Sequence, residues 1–270
     1  MADRRQLLKT SLLGASALAV PPRLAIADAT GNARRSGMVR VVCPWDFGAA
    51  ANQAAWAVLA HGGHVLNALQ PGVRVSEADL RHHSVGRAVP PDRDAHVSLD
   101  ASTMEAEGNC GAGAAIEHIN HPISVARRVM ERTPHVRRGG ECAQQFALEQ
   151  GFQKEDQLTR ESEKARHERL KTAHYVPLIN SEVPGCGKTN RSLPGGKDNH
   201  DTIGMLALDT HGETAGAGTT SGMAWKLRGR LDDGPIICAG LCVDGDVSGA
   251  ISTGVDEDMS ATPAASSWWN

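Results

Sequence analysis

The chain has 270 residues, with 28 Lys or Arg and 31 Asp or Glu, so its formal charge at pH 7 is −3. That near-balance argues against a nucleic-acid surface, which shows as a basic excess. Hydrophobic residues make up 40% of the chain and 29 glycines add to them, which predicts a folded core rather than disorder. With only five Trp, three Phe and one Tyr, that core must be aliphatic and rich in alanine, which suits stacked sheets and helices.

The first 27 residues have the layout of an export signal. Arg4 and Arg5 open a basic region, an apolar run follows over 12–20, and Ala25-Ile26-Ala27 has the small-x-small pattern of a cleavage site. The basic region resembles the twin-arginine type. The sequence therefore predicts a periplasmic or secreted protein, mature from about residue 28, with no membrane span once the signal is removed.

The mature chain alternates between helical and strand patterns. Short strands are predicted over 39–43 and 96–99. Helices are predicted over 51–69, with a break at Gly62-Gly63, and over 123–130, 143–150 and 154–171, the last of them charged nearly all round. Residues 181–199 are dominated by Pro, Gly and polar side chains, which predicts a linker. Strands follow over 203–208, 213–220, 236–243 and 247–253, so the chain mixes α and β structure.

Six cysteines are present, and no spacing among them forces a disulfide or a zinc site. Most are expected to be small buried hydrophobic residues. Gly187-Lys188-Thr189 lacks the leading glycine of a phosphate loop, and the calcium-like run from Asp244 has Val255 where a bidentate Glu belongs. Neither a metal nor an organic cofactor is predicted.

The strongest motif lies where the linker meets the next strand and reads His200-Asp201-Thr202-Ile203-Gly204. Thr219-Thr220-Ser221-Gly222-Met223 follows, then Lys226, then the run Gly229 to Pro235. Together these segments resemble the glycosylasparaginase family of N-terminal-nucleophile hydrolases. In that family the first motif contains the cleavage site and the nucleophile. The family is also resembled in the segments 44–48, 91–101 and 120–136, so the resemblance covers residues from about 39 to 258.

The resemblance implies a four-layer αββα sandwich that cleaves itself before Thr202. Residues 28–201 would form an alpha-subunit region and 202–270 a beta-subunit region, paired as a heterodimer that is itself able to dimerise. Family members continue well past the position of Asn270, so a shortened second region with an exposed sheet edge is expected.

The implied reaction is hydrolysis of the side-chain amide of N4-(β-N-acetylglucosaminyl)-L-asparagine through a threonyl ester. Thr202 would be the nucleophile, tuned by Thr220, and His200 and Asp201 would assist self-cleavage. Thr253 and Gly254 would stabilise the oxyanion. Trp45, Arg230 and Asp233 would bind the small glyco-asparagine substrate, Arg230 at its α-carboxylate and Asp233 at its α-ammonium.

Two alternatives remain open from the sequence. One is a plant-type L-asparaginase or isoaspartyl peptidase, which shares the fold but usually lacks the His-Asp before the threonine. The other is a shortened relative without catalysis, as a binding or residual domain.

Several positions depart from the family pattern. Asp232 stands where the family has glycine, beside the expected ammonium ligand, and has the charge to disturb that site. Gly234 replaces a serine, and Val255 follows the expected oxyanion pair. Val89 lies in a stretch where the family has glycines, and Arg137-Arg138 lie where its strand is apolar, so burying them unpaired would be costly.

Overall fold

The principal sheet has six strands, in the order β1 (Arg40–Val42), β5 (Thr202–Leu208), β6 (Thr214–Thr220), β2 (Ser98–Glu105), β3 (Cys110–Glu117) and β4 (Arg137–Gly139). The structure is a computed structural model that describes residues 38–80, 85–173 and 202–253. All neighbouring strands are antiparallel except β3 and β4, which are parallel.

Strands β5 and β6 form the hairpin that the sequence predicts. Their turn is stabilised by Asp209, whose Oδ1 accepts hydrogen bonds from His211 N at 2.8 Å and Glu213 N at 3.1 Å. Gly212 completes the turn at φ 79°, a conformation that glycine adopts at little cost. The register pairs Thr202 with Thr220, which sets the two threonines side by side at the open end of the hairpin.

Five α-helices lie among the described residues: α1 (Ala49–Leu59), α2 (Val65–Ala78), α3 (Pro122–Arg132), α4 (Gly140–Glu149) and α5 (Arg160–Leu170). The predicted break at Gly62-Gly63 is confirmed, and it separates α1 from α2. Helix α2 runs nine residues past the predicted end at Leu69 and contains Pro71 in its interior. Its carboxyl end is held by Glu77, a fully buried residue that accepts a hydrogen bond from Ile123 N at 3.0 Å. Helix α5 begins later than predicted because Thr159 and Ser162 form a capping box.

The main core lies between helices α1 to α3 and one face of the sheet. Alternate residues of β5 and β6 point into it, among them Ile203, Met205, Ala215 and Ala217, each at most 1% exposed. A second cluster joins β3 to α3 and α4 around Phe146. The expected alanine-rich aliphatic core is confirmed.

The opposite face of β5 and β6 packs against a two-stranded sheet of β7 (Leu241–Asp244) and β8 (Ser248–Ile251). Both strands are shorter than predicted. Contact is close because Gly204 has no side chain: a Cβ there would lie 2.2 Å from Ile251 Cδ1. The structure therefore confirms a mixed α+β fold with a six-stranded sheet, while the four-layer order stays a prediction.

Three expectations need correction. Only Cys242 is buried among the five cysteines in the described ranges, and it forms a disulfide with Cys238, so the expectation of mostly buried thiols is wrong. Arg137 and Arg138 are not buried unpaired: their strand lies at the sheet edge, and the Arg138 guanidinium lies 4.8 Å from the Phe146 ring centroid. The positive-φ position in the segment after Gly86 is Ala88 at φ 61°, not Val89.

Strand β3 is absent from the sequence prediction because its residues, Cys110 to Glu117, are mostly glycine and alanine. Such a run has little intrinsic preference for strand. The segment is a strand because its backbone pairs with β2 on one side and with β4 on the other. Within the described ranges no helix is both long enough and apolar enough to cross a bilayer.

Candidate active site

Three polar side chains lie in one row across the middle of the principal sheet. Thr202 pairs with Thr220 in the β5–β6 ladder, and Thr220 pairs with Asp100 in the β6–β2 ladder. Residues directly opposite each other in adjacent strands share a face. Thr202, Thr220 and Asp100 are 2%, 0% and 0% exposed, so each of these polar groups requires a hydrogen-bond partner.

The two threonine hydroxyls are linked to a carboxylate. Thr202 Oγ1 donates to Thr220 Oγ1 at 3.1 Å, and Thr220 Oγ1 donates to Asp232 Oδ2 at 2.7 Å. Thr220 Oγ1 also accepts from Gly222 N at 2.9 Å. The sequence pointed to Thr202 and Thr220 as neighbours, and the structure brings their oxygens within hydrogen-bonding distance.

Asp232 is 1% exposed, and both of its carboxylate oxygens accept hydrogen bonds. Its Oδ1 accepts from Gly234 N at 2.8 Å, while its Oδ2 takes the Thr220 hydroxyl. Asp232 thus contacts the hydrogen-bond partner of Thr202, and the expected disturbance of the ammonium site stays a prediction.

A second buried carboxylate, Asp100, lies beside Asp232. Asp100 Oδ1 accepts from Ala115 N, and its Oδ2 accepts from Asp232 N at 3.4 Å. Burial raises the pKa of Asp100 to about 6, the nearby Lys226 ammonium lowers it, and the Asp232 carboxylate raises it further. Two carboxylates and a lysine thus share one desolvated region behind the threonine pair.

Two cations converge on Gly222. A Cβ at this position would lie 3.0 Å from Arg230 Nη1 and 3.1 Å from Lys226 Nζ, and Gly222 has φ +67°. Lys226 is only 5% exposed, and its Nζ donates to Ser221 O at 2.9 Å. Gly222 N also donates a hydrogen bond to Thr220 Oγ1. The residue that both positive groups approach therefore contacts the hydroxyl pair directly. Such a concentration of positive charge suits a carboxylate ligand.

Asp233 is fully buried, and the residue that follows β8 holds it. Ser252 Oγ donates to Asp233 Oδ2 at 2.9 Å and lies the same distance from Ala239 O. The next residue, Thr253, has a buried Oγ1 without a hydrogen-bond partner among the described residues. The end of β8 thereby brings Thr253 to the segment that carries Arg230 and Asp233.

Trp45, which follows β1, contacts Thr202 as well. Its indole Nε1 donates to the Thr202 carbonyl oxygen at 2.9 Å, and its ring stacks on Phe47 with centroids 6.3 Å apart. The bond joins residues 157 positions apart in sequence. His200, Asp201 and Gly254, like the signal segment 1–27 and the linker 181–199, lie outside the described residues.

Sequence reasoning gave no function to Asp100, Ser252 or Lys226, all of which lie close to the threonine pair or to Asp233. Asp100 lies in the segment 91–101 that resembles the family, and Ser252 lies in a predicted strand, but neither was given a function, because their contacts depend on the packing of distant segments. Lys226 was noted within a motif but given no function. In the parts of the chain that the structure describes, no group of three His, Cys, Asp or Glu side chains has the geometry of a metal site.

The sequence of the chain matches one known class of amidohydrolase. The chain belongs to the asparaginase family, whose profile matches residues 23–267. Among its similar relatives is the N(4)-(β-N-acetylglucosaminyl)-L-asparaginase of Elizabethkingia miricola, 45% identical over 262 residues, which are 96% of this chain and 72% of that protein. The resemblance to glycosylasparaginase seen in the sequence is confirmed.

Mammalian enzymes of the same name are similar as well. The mouse protein is 33% identical over 79% of this chain and the rat protein 32% over 81%. The matched region spans 66% of the mouse protein and 67% of the rat protein, so this chain corresponds to about two thirds of the length of each.

Proposed function

We propose that the chain is a self-cleaving amidohydrolase whose nucleophile is the Thr202 hydroxyl and whose substrate is N4-(β-N-acetylglucosaminyl)-L-asparagine. The observation that carries the proposal is the buried hydrogen bond from Thr202 Oγ1 to Thr220 Oγ1 at the first residue of β5. The substrate is the one named for the relatives from Elizabethkingia, mouse and rat.

Self-cleavage supplies the base that a threonine hydroxyl needs. The hydroxyl of Thr202 attacks the carbonyl carbon of Asp201, the peptide C–N bond breaks, and an ester with a free Thr202 amine forms. Water then hydrolyses the ester, leaving one chain that ends at Asp201 and another that begins at Thr202. An α-amine titrates near 7.7–8.0 and is partly neutral at pH 7, so it can accept the hydroxyl proton. By resemblance, His200 and Asp201 assist this step.

Amide hydrolysis repeats this chemistry on the substrate. The Thr202 oxygen attacks the β-carbonyl carbon of the asparagine, the carbon–nitrogen bond breaks, and the glycosylamine leaves with a proton from the α-amine. Water then hydrolyses the β-aspartyl ester and releases aspartate. Thr253 and Gly254 would donate hydrogen bonds to the oxyanion, and the buried Thr253 Oγ1 has a donor to offer.

Charge at the site supports the assigned binding roles. Arg230 and Lys226 converge at Gly222 and would hold the substrate α-carboxylate, with the Arg230 guanidinium giving a bidentate contact. The buried Asp233 carboxylate, oriented by Ser252, would take the α-ammonium. Trp45 would line the pocket while its ring N–H holds the Thr202 carbonyl.

The proposal extends to processing and location. The signal at 1–27 would direct the chain to the periplasm or outside the cell. Cleavage would then leave an alpha region of residues 28–201, with 181–199 near its new end, and a beta region of residues 202–270, paired as a heterodimer.

The intact mass of the purified protein tests the nucleophile. We expect two fragments, the second beginning at Thr202, and hydrolysis of the glyco-asparagine. Thr202→Ala should stay in one piece and hydrolyse nothing, whereas the matched Thr202→Ser, which keeps a hydroxyl, should still be cut and retain partial activity. Amidase activity in Thr202→Ala would remove Thr202 from this role, and a wild-type chain that stays whole and inactive would favour the relative without catalysis.

A further inference from the structure

A disulfide joins Cys238 to Cys242 at the start of β7 and closes a ring over residues 238–242. Cys238 has φ 65°, a left-handed backbone conformation that is unfavourable for a residue with a side chain. Inside the ring its N–H donates to Leu241 O at 2.7 Å. The covalent bond to the buried Cys242 therefore holds Cys238 in a conformation that it would otherwise tend to leave.

This ring packs directly against the backbone of Asp233. A Cβ at Gly240 would lie 2.7 Å from Asp233 O, so only a residue without a side chain fits there. Asp233 O also accepts from Ile236 N at 2.9 Å, in the turn that leads from Asp233 to the ring. The ring is thus in contact with the segment that carries the proposed partner of the substrate ammonium.

Ser252 is held by the ring through two of its atoms. Its N–H donates to Gly240 O at 2.9 Å, and its Oγ lies 2.9 Å from Ala239 O. The same Oγ lies 2.9 Å from Asp233 Oδ2. Since both ring partners of Ser252 are backbone carbonyls, its position follows the conformation of the ring backbone. A change in the ring therefore moves a hydroxyl that orients the Asp233 carboxylate.

We propose that the Cys238–Cys242 disulfide is a positioning element of the substrate site. It fixes the ring carbonyls that place Ser252, and through Ser252 the carboxylate of Asp233 that takes the substrate α-ammonium. Opening the disulfide weakens binding of the ammonium without removing any group that contacts the substrate. The inference rests on the proposed function of Asp233, and it makes substrate affinity depend on the oxidation state of this cysteine pair.

Reduction of the native protein tests this without changing a residue. Dithiothreitol adds two electrons and two protons to the disulfide, which becomes two thiols, and is itself oxidised to a cyclic disulfide. Cys238 is only partly buried, so the reagent has access to it. We expect KM for the glyco-asparagine to rise roughly 3- to 10-fold, as for the loss of one well-oriented hydrogen bond, with kcat within about twofold.

Two variants assign the effect to this cysteine pair. Cys238→Ser should show the raised KM without reductant and no further change with it. The matched variant Cys142→Ser, at an exposed free cysteine, should respond to dithiothreitol as the wild type does. A Cys238→Ser protein whose KM equals that of the oxidised wild type would overturn the proposal.

A substrate analogue with hydrogen in place of the α-ammonium separates positioning from general loss of structure. Because the analogue has no group for Asp233 to bind, its KM should be the same with oxidised and reduced protein. The rise should be confined to the substrate that carries the ammonium. An equal rise for both compounds would mean that the disulfide only supports the fold, and no rise for either would mean that it does not affect the site.

Hydrogen exchange at the Ser252 amide, measured by NMR, reports on the ring without depending on activity. This amide should exchange faster after reduction, while that of Ala112, bonded to Val136 O at 2.8 Å, should be unchanged. Unchanged exchange at Ser252 refutes the role of the disulfide even if Thr202 proves to be the nucleophile. If the chain neither cleaves itself nor hydrolyses the amide, the proposed function fails, while the exchange rates still decide whether the disulfide positions Ser252.

Discussion

The two faces of the β5–β6 hairpin are built from the same two strands but differ in what they bury. Toward the helices, Ile203, Met205, Ala215 and Ala217 form an apolar surface. At the first and last positions of the other face, Thr202 and Thr220 bury hydroxyls instead. The energy of the helix-facing side is set by how well its side chains fill the core. That of the threonine end is set by whether each buried donor has an acceptor. Substitutions on the two faces should therefore change different measured quantities.

The largest effect on stability is expected on the apolar face. Met205→Ala removes a fully buried side chain that packs against Gly72 and should lower the free energy of unfolding by about 2–5 kcal/mol. Chemical denaturation of Met205→Ala, measured in a Thr202→Ala background that keeps one polypeptide, checks this. In the cleavable background, kcat well below the melting temperature should be unchanged. The matched surface variant Val247→Ala, at a residue 65% exposed, should change stability by less than about 0.5 kcal/mol. Equal losses in the two variants would contradict the assignment of Met205 to the core.

A pH-dependent effect is expected from Asp100 behind the threonine pair. Its folded-state pKa of about 6 is above the ordinary value of 3.8, so between these values the folded protein holds a proton that the unfolded chain has lost. Stability contributed by that proton is fully present below about pH 4 and is lost as the pH rises through 6. Relative to Asp100→Asn, the wild-type free energy of unfolding should fall by about 3 kcal/mol over this range.

Denaturation curves of the two proteins at several pH values, both in the Thr202→Ala background, measure the difference. If the difference in free energy of unfolding between the two proteins is constant from pH 4 to 7, Asp100 does not titrate in this window.

The smallest of these effects concerns substrate binding. Arg230→Lys keeps the charge near Gly222 but replaces a planar fork with a point charge, so one hydrogen bond to the substrate carboxylate is lost. We expect KM to rise roughly 10- to 100-fold with little change in kcat. Steady-state kinetics check this, with Arg228→Lys as the matched control because its guanidinium pairs with Glu117, 2.9 Å away. If KM stays at the wild-type value, Arg230 does not bind the carboxylate.

Local sequence patterns predicted much of the architecture. The strand positions at 203–208 and 213–220, the turn between them and the break at Gly62-Gly63 depend on neighbours within a few residues. The threonine pair was found by its motif. Strand β3 escaped prediction because a glycine and alanine run carries no strand preference of its own, and helix α2 extended because burial of its last turn outweighed the interior proline.

The amino-acid sequence by itself determined the family, the position of Thr202 at the start of a strand and the apolar alternation that buries one face of the hairpin. Tertiary structure alone decided that Asp232 bonds Thr220 and that Asp100 lies beside it under the influence of Lys226. The reason is physical: a strand period follows from adjacent residues, but the partner of a buried polar atom is chosen by whichever distant segment packs against it.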